Sequence, residues 1–336
     1  MRTYVFVLVV CACGPSAPRP TAAPRPTCPR VPPLEASIIT LDDGRRAKVE
    51  AGLAYDDVGG EWRFAEEVYA ADWFEKAYEV DAQCSISRRA DDGTRYAVRE
   101  PFADGFDGVT DFVALFGPLR GWTAMTLQSP SAPQVADYVA LRACLTERTC
   151  DYRDSRFDVR DEAERGPFIR ATSVPKTAAM VTAKASFESG LGYFVKGDDV
   201  WLRARVRAEQ GVPFGLFDLE SSFVTSAPGP RIVLVDGALA VELKALDKPT
   251  WKQATPFPLR RWVLVEAHYR LDDDPTKGLV ELWQDGVQLL SAPGRTLPFS
   301  DIVLDHIEVG VTASNDTSTN TVLDVDDVRV GLLQGP

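Results

Sequence analysis

From Phe102 onward the chain is written in short runs that alternate apolar and polar residues. Pro167–Val174 (PFIRATSV), Ala179–Ser189 (AMVTAKASFES), Val200–Glu209 (VWLRARVRAE) and the runs PRIVLVDG, ALAVELKAL, WVLVEAHYRL, GLVELWQDG, VQLLSAPG, DIVLDHIEVGVTA and TVLDVDDVRVGL follow one another at short spacing. Side chains of a strand point alternately to its two faces, so each run predicts a strand with one apolar and one polar face. Many such strands without intervening helices predict an all-β sandwich or barrel, and the lack of a fixed-length repeat disfavours a propeller or solenoid. The Asp285-Gly286 step between two runs predicts a tight hairpin, because its turn needs positive φ. One short helix is predicted over Val135–Leu145, where Val135, Tyr138, Val139 and Leu145 fall near one face.

Sorting the runs by parity collects their polar side chains. Trp201, Arg203, Arg205 and Arg207 fall opposite Val200, Leu202, Ala204 and Val206. In the neighbouring runs the outward sets are Glu242 with Lys244, then Glu266, His268 and Arg270, then Glu281 with Trp283. Two readings stay open. If the four runs lie side by side on a concave sheet, their cations and indoles form a groove suited to an acidic polysaccharide, since Arg grips a carboxylate or sulfate at two points and indoles stack on sugar rings. If they lie on a convex sheet, they are a solvated face carrying weak cross-strand ion pairs. In a catalytic groove the chemistry would be β-elimination at a uronate, with His268 as base and Arg205 or Arg270 neutralising the sugar carboxylate. Trp201, Arg203, Glu242, Lys244, Glu266, Glu281 and Trp283 would then hold the substrate. The plainer reading of His268 is an ordinary surface residue.

The rest of the sequence sets size and address. At 336 residues with 45% hydrophobic composition the chain can bury a large core. Its net charge of -12 argues against binding a phosphate backbone, so no nucleic-acid partner is expected. Residues 1–13 pair Arg2 with a short apolar run too brief to span a bilayer, which is the anatomy of a secretory signal. Val10-Cys11-Ala12-Cys13 resembles the lipobox of bacterial lipoproteins; Cys13 is the expected lipid site, against the alternative of ordinary cleavage. The expected address is the outer membrane or cell surface, with the membrane touched through the lipid alone. Residues 14–33 are a proline-rich tether, 34–101 a β-rich extension, and 102–333 the main domain. The extension is expected to hold short strands at Ser37–Leu41, Ala47–Leu53 and Glu61–Phe64. In an oxidising compartment Cys144 with Cys150, and Cys28 with Cys84, are expected as disulfides. No C-x-x-C occurs and there are only 2 His, which argues against a zinc site.

The order PFPLRRWVLVEAHYRL, GLVELWQDGVQLL, DHIEVGVTA and VLDVDDVRVGL resembles the concanavalin A-like lectin/glucanase jelly roll, and within it the polysaccharide-lyase branch of heparin lyase I and glucuronan lyase. The resemblance implies a two-sheet jelly-roll sandwich and a polysaccharide partner, met either by a lyase or by a non-catalytic carbohydrate-binding lipoprotein; a structural or adhesion module of the envelope with a protein partner is the third reading. It requires no cofactor, but it implies a structural Ca2+ at the closing strand, with Asp327 the matching position. The alternative for that stretch is a charged edge strand. The Glu-x-Asp-x-x-Glu strand of the fold's glycoside hydrolases is missing, and Phe217-Asp218-Leu219-Glu220 has a different spacing.

Overall fold

The computed structural model describes residues 102–116, 120–131, 154–190, 192–221, 229–243, 248–298 and 302–332, and within 37–97 seven short strands with some of their turns. The leader with Cys13, the tether, the helix expected over Val135–Leu145, Lys244, and Cys28, Cys84, Cys144 and Cys150 lie outside the described residues. In the extension, β1 (Ser37–Thr40), β2 (Arg46–Glu50), β3 (Leu53–Val58) and β4 (Glu61–Glu67) form an antiparallel sheet in sequence order. A second meander joins β5 (Tyr78–Val80), β6 (Ile86–Arg89) and β7 (Arg95–Ala97). Strands β1 and β4 overlap the expected Ser37–Leu41 and Glu61–Phe64, whereas the single strand expected over Ala47–Leu53 is divided: β2 ends at Glu50, and Leu53 opens β3, which runs to the Gly59-Gly60 turn.

The main domain comprises β8 (Phe102–Asp104), a 3-10 turn at Phe112–Phe116, β9 (Ala124–Thr126), β10 (Arg156–Glu162), β11 (Gly166–Ser173), β12 (Ala183–Ser189), β13 (Asp199–Gln210) and β14 (Gly215–Glu220). It continues with β15 (Pro230–Val235), β16 (Ala238–Leu243), β17 (Lys248–Pro256), β18 (Val263–Arg270), β19 (Leu279–Gln284), β20 (Val287–Pro293), β21 (His306–Ser314) and β22 (Thr321–Gly331). Two antiparallel sheets form a jelly-roll sandwich. Sheet I runs β10-β11-β22-β13-β18-β19-β20, with β8 also paired to β22; sheet II runs β17-β16-β15-β14-β21-β12-β9.

The alternation that predicts the strands also builds the core. Along β13, Val200, Leu202, Ala204, Val206 and Ala208 are buried while the intervening residues are half-buried, and β18 and β19 add Val263, Val265, Ala267, Tyr269, Val280 and Leu282 to the same interior. Sheet II answers with Phe187, Phe217, Leu219, Ile232, Val241, Ile307 and Val309. Each fully buried aliphatic side chain contributes about 1.5–3 kcal/mol of transfer free energy. Trp122 closes one end against Phe102 and Phe187, at centroid distances of 4.8 and 4.5 Å, and its indole N–H donates to Asp104. The hairpin turns Asp236-Gly237 and Asp285-Gly286 both have positive φ at their two central residues, as a tight antiparallel connection requires.

Candidate functional site

Both sheets carry polar groups on their outer faces. On sheet I, three of the four runs sorted by parity are neighbouring strands, β13, β18 and β19. The register sets Trp201 beside His268 and His268 beside Glu281, and Arg203 beside Glu266 and Glu266 beside Trp283. Trp201 stacks on His268 at 4.3 Å and 8°, and lies 5.4 Å from the Trp283 ring at 26°; both indoles remain half-buried. Arg270 Nε donates to Asp199 at 3.2 Å, and Arg205 Nε to Asp327 at 2.9 Å.

The fourth run departs from the expectation. Strand β16 belongs to sheet II, and Glu242 is buried there, accepting from Arg231 Nε at 2.6 Å. Parity assigns a side chain to a face of its own strand; which sheet that strand joins depends on pairing remote in sequence.

His268 does not sit as a general base would. Its Nδ1 lies 2.8 Å from Glu281 and its Nε2 2.9 Å from Asp199, while Trp201 covers one ring face and the side chain is 8% exposed. Both nitrogens are engaged, so neither presents a lone pair to a bound sugar. Glu281 titrates below the ordinary range: burial alone would raise it, but hydrogen bonds from His268, Ser291 and Gln288 outweigh that.

Asp327 does not fit a calcium ligand. Its carboxylate takes the Arg205 guanidinium at 2.9 Å with Arg165 at 3.9 Å, so an added cation would face two positive charges. Asp327 also has φ +50 inside a strand paired on both edges, where the β13–β22 register shifts between Arg203 and Arg205. This bulge turns the Asp327 side chain outward. Beside it lies a cavity of about 210 Å³ lined by Ala103, Asp104, Gly105, Arg203, Asp327 and Arg329, among others. Farther along the face Arg170 and Arg207 converge on buried Asp324, each at 2.6 Å, and the guanidiniums of Arg165 and Arg207 each lie 4.6 Å from the Trp262 centroid.

The outer face of sheet II carries a charged row that parity alone did not assemble. Register places Glu188 beside Glu308, Glu308 beside Asp218, Asp218 beside Arg231, and Arg231 beside Glu242. The Glu308 and Glu242 side chains are 2% and 3% exposed. Lys184 donates to both Glu308 oxygens at 2.9 and 3.0 Å, and His306 Nε2 lies 3.5 Å from Glu188. Burial would lower the Lys184 ammonium, yet the charges of Glu308, Glu220 and Asp218 push it well above its usual range. Glu188 is raised, first by burial and then by the charge of Glu308, against the opposing pull of His306. Oxygens of Asp218, Glu220 and Glu308 lie within 4.8 Å of one another, but Lys184 already supplies positive charge at that cluster. The sequence signal for this row is Lys184-x-Ser186-x-Glu188, Asp218-x-Glu220 and His306-x-Glu308, three charged period-two sets on strands otherwise largely apolar.

No family model matches the chain, and no curated protein matches it. Among solved structures it is similar to an endo-β-1,4-glucuronan lyase from the fungus Trichoderma reesei, with 12% identity, TM-score 0.47, and 64% of this chain and 92% of that chain covered. The cellulose induced protein Cip1 matches with 14% identity and TM-score 0.45, covering 69% and 98%. An alginate lyase from a Chlorella virus matches with 12% identity and TM-score 0.37, covering 53% and 90%.

Proposed function

We propose that the protein engages an acidic polysaccharide along the outer face of sheet I, as a binding protein of the cell envelope held by a lipid at Cys13. The observation that supports this is the gathering of Trp201 and Trp283 with Arg203, Arg205 and Arg270 on three adjacent strands. Half-buried indoles give a sugar ring a stacking surface, and guanidiniums give a uronate or sulfate paired donors. At ~3.1 Å per residue the proline-rich segment 14–33 would hold the domain some tens of ångströms above a membrane.

The test titrates the full chain with polyglucuronate, alginate and heparin against the neutral glucan laminarin, reading tryptophan fluorescence and heat. The acidic polymers should bind and quench or shift the indoles, and Trp201→Ala with Trp283→Ala should weaken them about tenfold or more. Equal binding of laminarin, or an unaffected double variant, sinks the reading.

A second reading, cleavage of the polysaccharide, is favoured by the sheet II row. Glu188 held towards its protonated form beside carboxylates on the next strands is the pairing from which an acid and a base are drawn. With Glu188, Glu308, Asp218, Glu220 and Glu242 facing Lys184, Arg231 and His306, that face suits a neutral sugar better than a uronate. Elimination would appear as absorbance of an unsaturated product and hydrolysis as new reducing ends; an unchanged rate in Glu188→Gln removes this site from either reaction.

A further inference from the structure

The imidazole beside the tryptophans of sheet I is held on both sides by carboxylates that already accept from other donors. On the β19 side, Glu281 Oε2 lies 2.8 Å from His268 Nδ1, and Oε1 of the same carboxylate accepts from Gln288 Nε2 and Ser291 Oγ at 3.0 Å each. On the β13 side, Asp199 Oδ1 lies 2.9 Å from Nε2 and receives Arg270 Nε at 3.2 Å. An ionised carboxylate has no hydrogen to give, and a neutral imidazole has a single N–H. Both contacts are therefore made only when the ring carries two protons. With one proton, a nitrogen lone pair faces a carboxylate oxygen across one of them.

The same ring sets the position of the indoles. His268 stacks on Trp201 at 4.3 Å and 8°, and Trp201 is in turn in stacking contact with Trp283 at 5.4 Å and 26°. On its other flank Trp201 stands opposite Gly331 of β22, which has no side chain to brace it. His268 is the brace. With 8% of its side chain exposed, it acts on a ligand through Trp201 and not by contact. The charged groups around it are Asp199 on β13, Arg270 on its own strand and Glu281 on β19, with Glu266 and the facing Arg203 one step along the sheet. Arg270 and a doubly protonated ring together match Asp199 and Glu281. When the ring loses its second proton, one of those carboxylates is left over beside Trp201, and a negative surplus repels a polyanion.

We propose that His268 is the positioning residue of the tryptophan surface and makes its hold on an acidic glycan depend on pH. Doubly protonated, the ring ties β13 to β19 and fixes Trp201; singly protonated, it lets one carboxylate go and Trp201 loosens. The proton given up passes to solvent, and no other bond is made or broken. The proposal rests on the reading of sheet I's outer face as a glycan site, and adds to it the means by which that site is regulated.

The test takes the full chain between about pH 5 and 8, the range in which an imidazole changes charge, at constant ionic strength. Indole emission is read without ligand, and polyglucuronate, whose carboxylates stay ionised throughout, is titrated calorimetrically at both ends. A stacked imidazolium quenches an indole more than a neutral imidazole does. The chain has only 2 His, so emission should rise with pH in wild type and in His306→Gln but not in His268→Gln. Wild type should bind polyglucuronate about fivefold or more tightly at the acid end. His268→Arg, a cation at every pH of the range, should keep the acid-end affinity and flatten both profiles. An emission step that survives in His268→Gln, or vanishes in His306→Gln, overturns the proposal. Should His268→Gln fail to fold, a step retained in His268→Arg does the same. Wild-type affinity that stays level across the range overturns the proposal while the glycan reading stands. A His268-dependent step in a chain that binds no polymer at either end overturns the glycan reading and leaves the proton-dependent brace supported.

Discussion

The two outer faces of the sandwich are built from the same residue types by the same alternation, yet they end in opposite electrostatic states. On sheet II the charges are withdrawn from solvent and matched to one another: Lys184 with Glu308, Arg231 with Glu242, His306 against Glu188. On sheet I, around β13, β18 and β19, the Arg270, Asp199 and Asp327 side chains are 50%, 43% and 48% exposed, and Arg329 faces a second arginine. Charges paired out of reach of water have little left for a ligand, whereas Arg205 and Arg270, though paired with Asp327 and Asp199, keep 33% and 50% of their side chains exposed. Arginines and indoles left in contact with water are available to one, and this is why the glycan reading is placed on sheet I.

The contrast can be broken most forcefully on sheet II. Removing one partner of a buried pair strands the other, so Arg231→Ala or Glu242→Ala should cost about 3–5 kcal/mol in urea unfolding, while replacing both with apolar residues of similar volume should cost far less. A loss below ~1 kcal/mol for the single variants would mean that the pair is not buried as described. Glu188→Gln sharpens the same face by pH. Its carboxyl is raised in the folded protein, so wild type and variant should match at pH values where both states hold the proton. Above the unfolded carboxylate range the variant should gain, with a slope no steeper than about 1.4 kcal/mol per pH unit, until the folded group ionises. A gain that shrinks as pH rises would have the wrong sign.

On sheet I the stability effects should be smaller. Glu281 is lowered by its hydrogen-bonding partners, so its contribution is present above the unfolded carboxylate range and lost as pH falls through the folded value. Glu281→Gln should therefore cost about 1 kcal/mol at neutral pH and nothing in acid, read by denaturation at both. Arg329→Gln should be the mildest, neutral or stabilising by about 0.2–1 kcal/mol, because it removes one of two facing cations. A clear loss of stability there would show that Arg329 already has a partner within the fold.

How much of this was legible in the sequence follows from which interactions are local. Strand parity is local, and it separates Trp201, Arg203 and Arg205 from Val200, Leu202 and Ala204 along β13, where burial alternates without a break. Sheet membership is not local. Every residue of β16 is buried, so ALAVEL carries no mark of which sheet it joins, and Glu242 was grouped with the wrong partners. Arg329 was hidden for a second reason. Counting by twos from Asp324 and Asp326 turns Arg329 towards the core, and only the extra residue at the Asp327 bulge reverses that phase. The sheet II row escaped because its carboxylates are spread over β12, β21, β14 and β16 and meet only through register, whereas a search along single strands looks for them in one run.

The most direct measurement sets the two faces against each other with one ligand. Polyglucuronate is titrated calorimetrically into the wild-type chain, into Trp201→Ala with Trp283→Ala, and into Glu188→Gln with Glu308→Gln. The account expects the tryptophan variant to lose affinity about tenfold or more and the glutamine variant to bind as wild type does. Retention of binding by the tryptophan variant together with its loss in the glutamine variant would contradict the account and move the glycan to sheet II.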